Sequence, residues 1–474
     1  MKILLINPPR LNEIIGNNPS IIEEERGYNP PLGLLYIAGY IKKNSNHEII
    51  IIDAQVERYD YVALKKEIQN CKPDIVGITT MTMTLIDVIK TAQVIKEVDR
   101  SINIVLGGPH VNLFPYETIK MPFVDFIVLG EGEEIFLDLV NAIEDNAPLT
   151  DITGLVFLDK EHVINTGKRE YIKNLDALPY PARHLTPYKK YNSLLSKGGI
   201  VTTIFTSRGC PFKCSFCDRP SLGKIFRSRS AQNVVGEIEE CVGLGIRDFL
   251  FYDDTFTVDR KRVIEICKKL IEKKLKIRWD IRARVDTIDE EMLSYLKQAG
   301  CEGIHYGIEA GTEKVLKELN KGITINQVKK TFNLTKKYKI PTLAYFMIGN
   351  PNESMEDIES TFRLMRNLDP SYVHITVLTP FPGTKIYENG LKNGIIKRDF
   401  WKEFATHPNT NFIPPVWEER FNREELNAIL VKGYKKFYIR PKYIFNNLKS
   451  IRSIGELKKK SIAGIKVFLM QNNG

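Results

Sequence analysis

Short apolar runs alternate with longer amphipathic ones along most of the chain. Lys2-Ile3-Leu4-Leu5-Ile6 is an apolar run closed by Asn7-Pro8-Pro9, which predicts a buried strand opening into a loop. Residues 32–41 then carry helical periodicity, and residues 47–53 form the next strand-like run. Residues 75–78, 102–106 and 126–129 continue the series, with helical stretches such as 84–99 between them. This alternation predicts a doubly wound, flavodoxin-like parallel sheet over residues 1–147. A sheet of that kind takes ligands at the carboxyl ends of its strands.

Residues 148–198 lack a long periodic element, and Pro179, Pro181 and Pro187 mark a linker with enough apolar residues near 152–157 to form a small hairpin first. A second alternation fills 199–390. Its strand-like runs are 201–206, 248–252, 277–281, 303–308, 342–348 and 372–378, interleaved with helical patterns such as 234–244 and 261–273. Six such units predict a partial (β/α)6 barrel of TIM type, with functional groups on the loops that follow the strands. Residues 391–474 read as a basic, mostly helical C-terminal region.

Composition changes this picture little. At 43% hydrophobic and 27% charged, the 474 residues match an ordinary soluble globular protein. Seven cysteines, and no secretory pattern at Met1-Lys2-Ile3-Leu4-Leu5-Ile6-Asn7, predict a reducing, cytoplasmic setting. The net charge of +10 is concentrated at one end: residues 421–474 hold twelve Lys or Arg against three Glu. There Lys435, Lys436, Arg440, Lys442, Lys449, Arg452, Lys458, Lys459 and Lys460 are interleaved with Tyr434, Phe437, Tyr438, Tyr443 and Phe445. Two readings follow, a solvated helical face or a segment lying on an anionic membrane surface. Nucleic acid is not an expected partner.

The chemistry lies in Cys210-Pro211-Phe212-Lys213-Cys214-Ser215-Phe216-Cys217. Thiolates select zinc or iron–sulfur clusters, and a C-x3-C-x2-C loop can wrap one corner of a cubane while leaving one iron uncovered. A structural zinc site would need a fourth ligand from a partner knuckle, and no second C-x2-C or His pair supplies one. Cys71, Cys241, Cys267 and Cys301 stand alone and read as small buried hydrophobes.

Cys210, Cys214 and Cys217, with Phe216 before the last, resemble the signature of the radical S-adenosylmethionine (SAM) enzymes. The resemblance implies a 4Fe-4S cluster whose open iron binds SAM, and cleavage of SAM to methionine and a 5′-deoxyadenosyl radical. It also implies anaerobic work and a low-potential donor such as flavodoxin or ferredoxin. The later loops resemble the family's SAM positions: Asp253 or Asp254 for the amino group, Arg284 or its neighbour Arg282 for the carboxylate, Glu309 for the ribose, and Gly349 and Pro380 for the adenine side. Phe216 is expected against SAM as well. No residue is singled out as a catalytic acid or base.

The first unit resembles the cobalamin-binding domain that precedes many radical SAM barrels. The resemblance rests on Asn7-Pro8-Pro9, Thr79-Thr80-Met81-Thr82, Gly107-Gly108-Pro109-His110 and Gly130-Glu131-Gly132-Glu133, each after a strand. It assigns Asn7, Pro8, Thr80, Thr82, Gly107, Gly108, Gly130 and Glu131 to cobalamin, with His110 near the corrin side chains. Related domains carry D-x-H-x-x-G after the second strand. Here the stretch is Asp53-Ala54-Gln55-Val56-Glu57-Arg58. That departure implies either cobalamin without a protein ligand on its lower face or a domain that has lost the cofactor.

The resemblance extends to the subfamily of anaerobic magnesium-protoporphyrin ester cyclases and cobalamin-dependent methylases. The expected activity is methylation of an unactivated carbon. Oxidative cyclisation or rearrangement of a tetrapyrrole or lipid is the second expectation, and a cobalamin-binding sensor or carrier is the non-enzyme alternative.

Overall fold

A computed structural model describes residues 1–16, 27–193, 199–218 and 223–450, together with 464 and 468. The first sheet contains β1 (Lys2–Asn7), β2 (Glu48–Asp53), β3 (Ile75–Thr79), β4 (Asn103–Gly107), β5 (Phe126–Val128), β6 (Leu155–Asp159) and β7 (His162–Asn165), in the order β2-β1-β3-β4-β5-β6-β7. The first five are parallel. Their apolar runs are buried on both faces because helices cover both. Leu32–Asn44 and Gly132–Asp145 bring Leu35, Ile41, Phe136 and Leu139 to one side. Tyr61–Cys71 and Leu85–Val98 bring Leu64, Ile68, Val88 and Ile95 to the other.

The sheet does not stop at residue 147. β6 pairs antiparallel with β5 and β7 with β6, so the small hairpin expected within the 148–198 linker is part of the first sheet. β5 has three residues, and Leu155 and Val156, both fully buried, cover what would otherwise be an open edge.

The second sheet joins β8 (Val201–Ile204), β11 (Asp248–Phe251), β12 (Arg278–Ala283), β13 (Cys301–Glu309), β14 (Thr342–Ile348) and β15 (Tyr372–Val377) in sequence order, all parallel and open between β8 and β15. It is a partial barrel. A separate ribbon, β9 (Ser207–Arg208) against β10 (Arg227–Ser228), carries the cysteine loop. Barrel strands alternate in burial: Trp279, Ile281, Ala283, Tyr306 and Phe346 pack under the helices, while Asp280, Arg282, His305 and Tyr345 face the lumen half-buried.

The helix Arg423–Tyr438 closes the barrel's free edge. The Tyr434 hydroxyl donates to the Ile375 carbonyl at 2.9 Å and accepts from its N–H at 3.0 Å, and Tyr438 does the same at Val373. Side chains thus replace the missing neighbouring strand. Phe437 is fully buried, Tyr443 donates to the Ser371 carbonyl, Lys436 pairs with Glu359, and Arg440 and Lys442 pair with Asp369. This part of the basic, aromatic run is barrel packing, which corrects the reading of it as a membrane-facing surface. The side chain of Lys449, and Arg452, Lys458, Lys459 and Lys460, lie outside the described residues. Among the described residues, no helix is long and apolar enough to cross a membrane.

Candidate functional site

The cysteine loop leaves β9 at Gly209, whose φ of +83° admits glycine readily, and returns through β10, where Arg227 sits opposite Arg208. Pro211 and the irregular backbone keep residues 210–218 out of regular structure. Three barrel contacts hold its shape: Ser215 N–H to the Leu319 carbonyl at 2.9 Å, Ile386 N–H to the Ser215 carbonyl at 3.0 Å, and Asn320 Nδ2 to the Lys213 carbonyl at 2.7 Å. Cys210 is buried with its Sγ 3.9 Å from Thr255 Oγ1, Cys214 is half-buried and Cys217 is exposed. Among the described residues no three Cys, His, Asp or Glu side chains converge on a single metal ion. A cubane requires no such convergence, since each thiolate ligates a different iron. Three thiols on one braced loop therefore fit a cluster.

Arg284 and Glu309 are brought to that loop. The Arg284 guanidinium lies 3.8 Å from the Phe212 ring centroid, with Nη1 3.8 Å from Cys214 Sγ, and Asp286 and the Lys321 carbonyl fix its other edge. Glu309 has a φ of +73° where β13 loses register with β14, and it is paired with Lys321 at 2.7 Å. Lys321 Nζ in turn lies 5.6 Å from the Phe216 ring. Backbone held in the left-handed region by a non-glycine residue is costly and clusters at binding sites. Asp254 is exposed at the turn after β11.

Asp253, Gly349 and Pro380 have structural partners of their own. Asp253 is fully buried and accepts from Thr206 N–H at 2.6 Å and from the Thr206 and Ser207 hydroxyls at 2.5 Å, with Arg262 at 3.7 Å. Its carboxylate is spent on the chain leading to the cysteine loop, whereas Asp254 is exposed. A Cβ at Gly349 would meet Leu426 at 3.0 Å, and the Pro380 carbonyl accepts from Trp401 Nε1. Both pack the barrel.

At the first sheet, a Cβ added at Gly107 or Gly130 would meet nothing within 4 Å, whereas one at Gly108 (φ +114°) would strike the Thr80 carbonyl at 2.9 Å. The edge is open above β4 and β5 and tightly packed where the loop after β4 passes the end of β3. Asn7 is committed to Asp53 and Gln55, Pro8 is buried beside it, and Thr80 N–H donates to the Gly107 carbonyl. Thr82 Oγ1 lies 3.1 Å from His110 Nδ1, and buried His110 Nε2 has no partner among the described residues. An open edge with an orphan buried nitrogen beneath it fits a large polar-rimmed cofactor such as cobalamin.

Burial pushes the His110 imidazole down to about 3. On unfolding it returns to its ordinary value of about 6.5, so the folded pKa is the lower one. The stability linked to neutral His110 is therefore complete above pH about 6.5 and is lost as pH falls toward 3, at up to about 1.4 kcal/mol per pH unit. His110→Gln is expected to flatten this slope in denaturant unfolding between pH 6.5 and 4.5; equal slopes would refute the assignment.

Glu131, expected at cobalamin, clamps the cysteine loop. Its Oε1 meets Arg208 at 2.7 Å and its Oε2 meets Arg227 at 2.8 Å, and Oε2 also accepts from Ile172 N–H at 2.7 Å. Glu133 holds the other edge of Arg208 at 2.5 Å. Burial alone would raise the Glu131 carboxyl, but Arg227 and Arg208 hold it below the usual carboxylate range. One carboxylate from the first sheet thus pins both stems of the cysteine loop. Arg208, Arg227 and Lys321 escaped sequence reading because their partners are distant in the chain; the only local signal was Arg208 flanking Gly209-Cys210.

The matching family models are the B12 binding domain over residues 20–140 and the radical SAM superfamily over residues 204–365. An uncharacterized methyltransferase of Pyrococcus horikoshii is 34% identical, covering 98% of each chain. The anaerobic magnesium-protoporphyrin IX monomethyl ester cyclase of Rubrivivax gelatinosus is 31% identical over 94% of this chain and 78% of its own. The cobalamin-dependent SAM radical enzyme OxsB with aqua-cobalamin bound superposes with a TM-score of 0.77 at 17% identity, covering 98% of this chain and 71% of its own, which speaks to the fold. A 4Fe-4S cluster, SAM and cobalamin are accordingly its cofactors, a reductant and a small-molecule substrate its partners, and the chain belongs to the cobalamin-dependent radical SAM enzymes.

Proposed function

We propose that the enzyme methylates an unactivated carbon of a small molecule held in the barrel lumen. The observation that carries this reading is Glu131, which ties the open edge at Gly107 and Gly130 to both stems of the cysteine loop. Two cofactor sites braced by one carboxylate suit a reaction that uses both on one substrate. When bound, the cluster and SAM supply a 5′-deoxyadenosyl radical and cobalamin supplies a methyl donor.

The chain's own residues hold and orient. Cys210, Cys214 and Cys217 would ligate the cluster. Phe216, Asp254, Arg284 and Glu309 would contact SAM, with Asp253, Gly349 and Pro380 supporting from behind. Asn7, Pro8, Thr80, Thr82, Gly107, Gly108 and Gly130 would line cobalamin, and Glu131 would fix the two sites relative to each other. The lumen would hold and orient the substrate beside the cysteine loop.

The test is anaerobic reconstitution with iron, sulfide and cobalamin, reduction through flavodoxin, and SAM carrying a deuterated methyl group. The expected result is iron, cobalt and deoxyadenosine on one chain, and a product heavier by one labelled methyl. A product that instead changes in oxygen or unsaturation would favour oxidative cyclisation, the reading favoured by the cyclase of Rubrivivax gelatinosus.

A further inference from the structure

The lumen face of β12 holds a guanidinium with no ion-pair partner among the described residues. Arg278 at the start of the strand is bidentate to Asp248 at 2.6 Å, and Arg284 just past its end is paired with Asp286. Arg282 lies between them on the lumen face, half-buried, stacked 4.2 Å from the Tyr252 ring centroid. Among the described residues it has no carboxylate within ion-pair distance. Asn29 of the first unit reaches the Tyr252 hydroxyl at 3.0 Å and roofs the stack. A guanidinium enclosed this way is costly unless an anion completes it.

The neighbouring strands present hydrogen-bonding groups along the same face. His305 is the register partner of Arg282 on β13, with Nε2 3.5 Å from Asp280 and Nδ1 3.4 Å from the Tyr345 hydroxyl. Asp280 is thereby turned toward His305. Tyr345 meets His374 of β15 edge-on at 5.5 Å. The loop after β12 carries Arg284 against Cys214, so a molecule anchored at Arg282 extends toward the cysteine loop.

Building on the reading that the lumen holds the substrate, we infer that the substrate carries an oxyanion, a carboxylate or phosphoryl group, received by Arg282. Tyr345 and His374 hydrogen-bond the rest of its polar surface, and His305, held between Asp280 and Tyr345, orients the Tyr345 hydroxyl. Arg suits this role because its planar fork matches both anions and stacks on an aromatic ring while doing so.

The test uses the reconstituted holoenzyme under anaerobic conditions. Titration calorimetry measures binding of inorganic phosphate, of acetate and, separately, of SAM to wild type, Arg282→Gln and Arg282→Lys. The expected result is that at least one anion binds wild type, with phosphate or acetate preference identifying the group. Arg282→Gln should weaken that binding about tenfold or more, and Arg282→Lys should restore part of it. Loss of SAM binding in Arg282→Gln would overturn the inference, because the guanidinium would then serve the SAM carboxylate. Anion binding absent from wild type, or unchanged in both variants, would overturn it equally. Failure of wild type to form deoxyadenosine would sink the functional reading instead, and the anion titration would still decide the role of Arg282.

Discussion

Cys214→Ala leaves the chain without a stable cluster and without 5′-deoxyadenosine formation. Metal ligation needs a thiolate, and three are the minimum that hold a cubane with one iron open. The four remaining cysteines cannot substitute. Burial pushes Cys241 and Cys301 up to about 12 and raises Cys267 further, so all three stay protonated in the barrel core; Cys71 lies in the first unit and burial raises it too. Cys214 is also the thiol beside Arg284, so its loss removes a ligand and the contact that registers β12 with the loop. Iron is expected to fall from about four per chain to near zero. Cys301→Ala should keep its iron, separating ligand loss from damage to the fold. Full iron and turnover in Cys214→Ala would mean that the cysteine loop is not the cluster site.

Hydrophobic pattern was enough to place the strands and the cysteine loop, because apolar period and turn residues are local properties. It was not enough to tell which ionisable groups at strand ends remain open to ligand. Asp253 and Asp254 are neighbours of identical type, yet one is consumed by Thr206 and Ser207 and the other is exposed. Glu131 reads as a cofactor loop residue until Arg208 and Arg227, 77 and 96 positions away, are folded onto it. The lumen row of Arg282, His305, Tyr345 and His374 was present as alternate polar positions on four strands. Only the pairing register of those strands brings the positions side by side. The aromatic tail misled for a similar reason: Tyr434 and Tyr438 are spaced to face a membrane or a strand edge equally well, and the choice depends on β15 lacking a neighbour.

Glu131→Gln is expected to uncouple the two halves of the molecule while leaving the cluster in place. In the wild protein both oxygens of Glu131 are engaged, one by each stem of the cysteine loop; Arg208 is buried and Arg227 partly so. An amide of the same shape carries no charge and accepts with one oxygen only, so the ion pair with Arg227 is lost and Arg208 keeps its pair with Glu133. Truncating one side of a buried, hydrogen-bonded ion pair costs about 2–5 kcal/mol. That cost falls on the stems rather than on the barrel, whose strands and core do not include them. Arg208 and Arg227 are themselves trypsin sites that the clamp shields. The variant should therefore be cut at these positions faster by roughly 30-fold or more, the factor that about 2 kcal/mol of easier local opening implies. Iron content and substrate-free deoxyadenosine formation should stay close to wild type, because the three thiols and Arg284 are untouched. Product formed per deoxyadenosine should drop, since the edge at Gly107 and Gly130 no longer sits in a fixed place relative to the loop. Unchanged trypsin cutting together with an unchanged product ratio would show that Glu131 does not position the two sites. Loss of bound cobalt alone, with the stems still protected, would return Glu131 to the cobalamin-contact role its sequence context implies.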